Sequence, residues 1–411
     1  MRFGLAKSVH SPIGIDFGAD SIKLLQLSAT SPPQILAAAA MTLLDEARAD
    51  PAARHAFNLE AITTLVRSQK FKGRRAIVSI PAHYTLVQHL QLPPGGAEDD
   101  LHAQIELHLL QRMNIDPSRL VIRHTYVGDV VRDGSTRQEV LCIAVARDVV
   151  MRHIEAARQA RLEVVGMHAE PHAILRAFSH LNANTGDQKR TTCFVDIGAA
   201  TTKVVIAQNG RMVFAKNIHA AGDQITRHFA KAKGILFSEA RQMRLSLAES
   251  TGRAGEAAAV SAMASPATVG AAADGGGEGP SGGSGFAMID AQMRAADGGA
   301  TTGADRPSPD AAPTGDTLDC IIDEMRLCAR YYQCVLPDSP IQNLVFVGGQ
   351  SRHVDMCQKI ARAMRIGAQL GDPLARVVRM NLVQPPRGVD LNQPQPGWTV
   401  PMGLCLSEPN I

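Results

Sequence analysis

Aromatic residues are scarce in this chain: one tryptophan, four tyrosines and eleven phenylalanines among 411 residues. Lysine and arginine form no block, and the formal net charge is only +3. Without a basic stripe or interleaved stacking side chains, the footprint of a nucleic-acid binder is missing. No apolar run approaches the roughly 18 residues that a membrane-spanning helix needs. The opening residues Met1 to His10 lack the apolar centre of a signal peptide. These absences lead us to expect a soluble cytoplasmic protein with no direct membrane insertion, tethered to any membrane through protein partners. The seven cysteines (Cys142, Cys193, Cys320, Cys328, Cys334, Cys357 and Cys405) are scattered, with no CxxC pair or zinc spacing. Reduced thiols are therefore expected, not disulfides or metal ligands.

What is present is enough for two packed domains, with 45% apolar and 20% charged residues. The pattern predicts a strand, a turn at Gly18–Asp20 and a second strand within 13–28. A helix follows from about 59 to 69, then a strand over 75–80 that stops at Pro81. A strand over 85–92 comes next, then an acid-started helix over 99–112 with Leu101, Ile105, Leu109 and Met113 on one face. Strands over 120–127 and 139–146 flank a turn at Asp133-Gly134. A helix (148–160), a strand (162–168) and a helix (171–182) complete an α+β unit. A second strand pair surrounds Gly198, followed by a strand at 213–218, a turn at Gly222 and helices within 223–250. Residues 250–316 hold 14 of the 35 glycines and few large apolar side chains. They cannot bury enough surface to offset their ordering entropy and are expected to be a disordered loop. A helix over 317–334, a strand over 343–347 and a helix over 353–364 follow.

Two segments 180 residues apart carry the same message. Ile13 to Lys23 and Phe194 to Val204 each run from apolar residues into Asp, then a glycine turn, then hydroxyl residues and a lysine. An aspartate at a strand end, Asp16 or Asp196, can hold Mg2+ directly or through its waters. Turn amides at Gly18, Asp20, Gly198 and Ala199, with the hydroxyls of Ser21, Thr201 and Thr202, can donate to phosphate oxygens. Lys23 and Lys203 follow each turn; Lys23 is a candidate ATP contact, although counting alternation from the turn aims both towards the outer sheet face. Gly348-Gly349, between a strand and a helix and followed by Ser351, lets backbone approach a flat ring and a phosphate. Gly222 stands at another turn of the same site.

In this order the two hairpins, the strand-to-proline connection Ser79-Ile80-Pro81 and the Gly-Gly segment resemble the actin, Hsp70 and sugar-kinase ATPase superfamily. More narrowly, the chain resembles the PilM family of type IV pilus assembly, a relative of the division protein FtsA. Ser21-Ile-Lys-Leu-Leu-Gln-Leu, the acidic helix at 98–112 and Val140-Leu-Cys-Ile-Ala-Val-Ala-Arg carry the narrower likeness. So do Glu170-Pro-His-Ala-Ile-Leu-Arg-Ala-Phe, Asp319–Tyr332 and Val400-Pro-Met-Gly-Leu-Cys-Leu. The likeness covers nearly everything outside 250–316. Two departures stand out: Ala19 replaces a frequent hydroxyl residue, and Ala221-Gly222 replaces a Gly-Gly pair.

The resemblance implies an α/β actin-like (ribonuclease H-like) duplicated ATPase fold, two lobes with an inserted α+β subdomain. The first lobe would hold 1–82, 169–190 and 386–411; the insert 83–168; the second lobe 191–249 and 317–385. ATP and Mg2+ are the implied cofactors, with Glu170 as the residue that positions water in what is at most a slow ATPase. The implied partners are a PilN-like N-terminal peptide and the PilN/PilO platform. That peptide would lie in a groove lined by Leu109, Leu110, Met113, Leu120 and Val140. Contact with pilus motor ATPases and self-association stay open. So do an FtsA-like filament, a cytosolic ATPase or kinase, and the equivalent part of an MSHA-type pilus or type II secretion platform.

Overall fold

In the computed structural model, residues 9–94, 98–132, 134–182, 190–246, 317–378 and 388–411 are described. The expected loop over 250–316 and the aspartate of the Asp133-Gly134 turn lie outside them. Two five-stranded sheets repeat one plan. In the first, β1 (Ile13–Phe17), β2 (Ser21–Leu27) and β3 (Ile35–Thr42) form an antiparallel meander. β4 (Arg75–Ile80) and β8 (Glu163–Ala169) then add in parallel beyond β1, giving the order β3-β2-β1-β4-β8. In the second, β9 (Thr191–Ile197), β10 (Thr202–Gln208) and β11 (Arg211–Ile218) are the meander. β12 (Asn343–Val347) and β13 (Ala368–Leu370) add in parallel beyond β9. The duplicated α/β plan expected from the two hairpins is thus present.

Alternation along β1 and β2 explains how the first sheet is covered on both sides. Ile13, Ile15, Ile22 and Leu24 pack with Ile62 and Leu65 of α2 (Pro51–Ser68) and with Val149 and Ala156 of α4 (Arg147–Gln159). Leu25, Leu27 and Ile77 join the opposite core with Ala173 and Ile174 of α5 (Glu170–Ala177) and Val400 and Leu404 of the helix Thr399–Cys405. That last helix returns the chain end to the first sheet. A Cβ at Gly403 would overlap the Ala173 backbone, so only glycine lets these two helices approach so closely. The same core continues into the second sheet, where Ile321 and Tyr332 of the helix Thr317–Val335 cover Val204 and Phe346.

Between β4 and β8 the chain builds a three-stranded antiparallel sheet, β5 (Thr85–Leu92), β7 (Ser135–Ala146) and β6 (Leu120–Arg132), in the order β5-β7-β6. Helix α3 (Glu98–Met113) covers one face, with Ile105 and Leu109 against Leu86, Leu90, Leu120, Ile122 and Val140. The other face, through Leu141 and Ile143, belongs to the core shared with the second sheet. Asn217 Nδ2 donates to the Ala82 carbonyl at 2.9 Å, and His89 stacks on Phe214 with ring centroids 4.7 Å apart. Both contacts come from β11, so the insert and the connection into it rest on the second half.

Some elements differ from the sequence expectation. The α2 helix begins at Pro51, eight residues before 59, because Asp50 caps it by accepting the Ala53 N–H at 2.7 Å. The alanine run Ala37–Ala40 becomes strand β3 despite alanine's helical preference, since pairing along β2 and burial of Ala37, Ala38 and Ala39 override it. Gly222 is the first residue of helix α6 (Gly222–Lys233), not a free turn, and the chain is helical again over 237–246.

Candidate functional site

Register puts the acidic and basic groups of each hairpin on one face. Asp16 pairs with Lys23 across β1–β2, and Asp196 with Lys203 across β9–β10. Directly opposed residues in an antiparallel pair point the same way. Lys203 is therefore not on the outer face, as alternation counted from the turn suggested, but buried in the cleft between the two sheets. Its Nζ donates to Glu170 Oε2 at 2.8 Å and lies 3.2 Å from Asp196 Oδ2. Ser79, at the end of β4, donates to Asp16 Oδ1 at 3.1 Å and accepts the Phe17 N–H at 3.2 Å. Asp16, Asp196, Glu170 and Lys203 are each at most 6% exposed.

Three acids share this cleft with Lys203, with Lys23 opposite Asp16. Burial pushes the Asp16 carboxyl up, with Lys23 and Lys203 opposing it only in part. Burial likewise raises Glu170, against the pull of Lys203. Burial alone would lower the Lys203 ammonium, but Asp196 and Glu170 outweigh it and hold that ammonium above the usual lysine range. The group is poor in positive charge, the condition that attracts a cation.

The second turn is built from backbone. Gly198 N–H donates to the Thr201 carbonyl at 3.1 Å, Gly222 N–H to the Gly198 carbonyl at 3.2 Å, and Asp223 N–H to the Ala199 carbonyl at 2.8 Å. The start of α6 is thereby fastened to the β9–β10 turn. Thr201 is buried, while the Thr202 hydroxyl donates to the Ala220 carbonyl at 2.7 Å and holds the turn; it is not a free phosphate donor. Gly348 takes φ +89°, and a Cβ there would run into Asp196 and the Ile197 carbonyl. That close approach is why the Gly-Gly segment reaches the acids. Gly349 is open on its outer side. The Ser351 hydroxyl is turned back to the Val347 carbonyl, so in this structure it does not point into the cleft as a free donor. Gly348 N–H donates to the Pro396 carbonyl at 2.9 Å, bringing in the segment Pro396–Trp398, which carried no motif.

In the first turn Ser21 is buried at the start of β2, and the Gly18 carbonyl accepts Arg54 Nη2 at 2.8 Å. Asp20 has a role beyond its turn amide. Its Oδ1 receives Arg48 and Arg241 together, so its side chain is an arginine-binding acid. Burial would raise Asp20, but Arg48 and Arg241 hold its carboxyl below the usual range. On the second half, Arg244 Nη1 donates to the Gly222 carbonyl at 2.9 Å, and its Nη2 to Gln350 Oε1 at 3.0 Å. These arginines lie on helices without a recognisable motif. The groove residues also separate: Leu109, Leu120 and Val140 are sealed in the core under α3, Met113 is partly buried, and Leu110 is 50% exposed.

Among the described residues no three or more His, Cys, Asp or Glu side chains converge closely enough to hold a metal ion directly. The donor set still fits Mg2+, which keeps most of its waters and takes few protein ligands. Asp16 and Asp196, one from each half, would hold those waters. Glu170 is occupied by Lys203.

The family described as "Type IV pilus assembly protein PilM" matches residues 14–249, and "Cell division protein FtsA" matches residues 193–377. A solved PilM-PilN type IV pilus biogenesis complex is similar at 17% identity, covering 96% of this chain and 98% of that chain, with a TM-score of 0.66. The ethanolamine utilization protein EutJ from Carboxydothermus hydrogenoformans is a looser match: 13% identity, 98% and 91% coverage, TM-score 0.46. The fold is actin-like, an architecture whose members generally bind nucleotide and Mg2+.

Proposed function

The chain belongs to the type IV pilus assembly protein PilM family, and from that premise we propose that it is an ATP-binding scaffold of a pilus assembly platform. Asp16, Asp196 and the two turns would hold MgATP between the halves, with Gly348-Gly349 against the adenosine. The convergence of Glu170 and Asp196, from opposite halves, on buried Lys203, with buried Asp16 within its electrostatic reach, carries this reading. Phosphoryl transfer to water needs a group free to orient that water. Glu170, the expected water-positioner, is bound to Lys203 at 2.8 Å, which favours binding over rapid turnover. Nucleotide would then act by biasing closure of the halves and hence partner affinity.

The partner would be a PilN-like N-terminal peptide presented by a PilN/PilO platform, placing the protein at the cytoplasmic side of the inner membrane. No helix among the described residues is long and apolar enough to cross a membrane, in keeping with recruitment through proteins. Exposed Leu110 and Leu107 on α3 offer the apolar contact, over the core that Leu109 seals. Binding of fluorescent ATP, with and without Mg2+, tests the reading. We expect Mg2+-dependent binding that Asp196→Ala abolishes, with turnover slower than about one per minute, well below ordinary enzymes. A peptide from the N-terminal tail of a PilN-like protein should bind with nucleotide-dependent affinity. Failure to bind ATP, or fast turnover with a small-molecule acceptor, overturns the scaffold.

A further inference from the structure

Two arginines from different halves meet on one carboxylate at the mouth of the cleft. Arg48 comes from the short helix α1 (Asp45–Ala49) beside the first turn, and Arg241 from the helical residues 237–246 of the second half. Both reach Asp20 Oδ1. An aspartate oxygen is a poor terminus for two planar, five-donor guanidinium groups, each of which suits a bidentate anion.

The Arg48 side chain is nine-tenths buried, yet its Nε and Nη1 have no hydrogen-bond acceptor. The nearest acidic oxygens, Asp45 Oδ1 at 3.6 Å and Asp223 Oδ1 at 3.8 Å, lie beyond hydrogen-bond reach. Asp223 follows Gly222, and the amides of both are fastened to the Gly198–Ala199 turn. Arg48 is therefore poised between the two turns, with two donors still unanswered. Arg54 and Arg244 differ in degree: they bond the turn carbonyls of Gly18 and Gly222 at 2.8 and 2.9 Å, whereas Arg48 reaches the Asp20 carbonyl only at 3.4 Å. They shape the cradle; Arg48 and Arg241 are exchangeable.

We infer that Arg48 and Arg241 are the residues that distinguish nucleoside triphosphate from diphosphate, with Asp20 holding them until a terminal phosphate takes its place. A terminal phosphate has three oxygens and close to two negative charges, enough to answer both guanidiniums at once. A single carboxylate cannot. Because the arginines belong to opposite halves, the exchange also turns the presence of that phosphate into a cross-cleft clamp. The inference rests on the nucleotide reading above and deepens it.

Equilibrium titration with MgATP and MgADP tests it on wild type, Arg48→Ala, Arg48→Lys, Arg241→Ala and Asp20→Asn. Thermal melting without nucleotide checks folding. We expect each Arg→Ala change to weaken MgATP about tenfold or more, the size of a lost charge-assisted hydrogen bond, while MgADP changes less than about twofold. Arg48→Lys should recover only part, because an ammonium cannot reproduce the fork. Asp20→Asn should tighten MgATP. Arg241, 22% exposed, gives a variant that folds even if Arg48→Ala does not. Equal loss of both nucleotides, or loss of neither, overturns the assignment and leaves the nucleotide site standing. Wild type that binds neither nucleotide overturns the nucleotide reading, and this inference falls with it.

Discussion

Lys203 Nζ and Glu170 Oε2 meet at 2.8 Å across the floor of the cleft, one from the second sheet and one from the helix that follows the first. Both are almost fully buried, so the pair is a joint between the duplicated halves and not surface decoration. Removal of the lysine leaves Asp196 and Glu170 without their bonded cation, with only Lys23, opposite Asp16, remaining. Lys203→Met should cost about 3–5 kcal/mol at neutral pH, the usual penalty for orphaning a buried charge. The sign with pH follows from the acids. Their folded-state pKa values, already raised at Asp16 and Glu170 by burial, would rise further without the lysine. The folded variant then binds more protons than the unfolded chain, and its stability falls as pH rises through the carboxylate range. Urea unfolding at pH 5 and pH 8 should show the larger deficit at pH 8, with Mg2+ restoring part of it.

Gly348 and Gly349 make a matched pair for substitution. Gly348 has φ +89° and no room beside Asp196 and Ile197, whereas Gly349 opens to solvent. Gly348→Ala should destabilise by more than about 2 kcal/mol through strain and displaced backbone. Gly349→Ala should stay within about 1 kcal/mol. Thermal unfolding of the two variants side by side gives the comparison.

The hairpins were legible because aspartate, glycine and lysine recur at fixed spacing, and each marks a backbone event that local sequence dictates. The direction of Lys203 depends on register: 196 opposite 203 puts both on one face, a fact the loop length implies only once the hairpin is closed. Arg48, Arg241 and Ser79 reach the site by tertiary packing, and nothing near them in the chain announces it. Strand β3 is silent in the sequence for a related reason, since a run of alanines becomes a strand only when β2 offers it an edge. Within α3, helical spacing found the apolar face but could not separate Leu109, which faces the insert's core, from Leu110, which faces outward.

That separation is testable. Leu109 is fully buried, and Leu109→Ala should cost about 2–5 kcal/mol through lost contacts and a residual cavity. Leu110→Ala should leave stability within about 0.5 kcal/mol, while weakening binding of a PilN-like peptide. Chemical denaturation and a peptide titration on both variants would show whether stability and binding divide between neighbouring leucines.

His153, on α4, is buried against Phe17, with ring centroids 4.7 Å apart, and its Nδ1–H donates to the Val149 carbonyl at 2.7 Å. Burial lowers its pKa from 6.5 to about 4, the Val149 bond opposing and Arg152 and Arg54 reinforcing the shift. The unfolded chain takes up a proton near pH 6.5 that the folded chain refuses until about pH 4. Stability is therefore lost as pH falls through that window, by up to about 3 kcal/mol for a shift of this size. His153→Gln removes the titration, so its thermal midpoint should fall less steeply than that of wild type between pH 7 and pH 4.5.

Glu139 lies on β7 of the insert with no exposed surface, yet its partners come from two elements besides its own. Tyr331, on the helix Thr317–Val335 of the second half, donates to Glu139 Oε1 at 2.7 Å. His89 on β5 contacts the same oxygen through Nδ1 at 2.9 Å, while its Nε2 accepts the Ala215 N–H of β11 at 3.4 Å. Since Nε2 accepts, the ring proton sits on Nδ1 and is given to the carboxylate. The acid thus welds the inserted sheet to the second half. Tyr331→Phe should cost about 1.5–3 kcal/mol, the range for a bond to a charged acceptor. Tyr331→Phe and Glu139→Gln should be non-additive in a double-mutant cycle, because both act on one oxygen. Hydrogen exchange locates the effect: amides of β5 and β7 should exchange faster in Tyr331→Phe, while those of β9 and β10 keep their protection. Uniform loss of protection across all four strands would mean that Glu139 supports the whole molecule and not this joint.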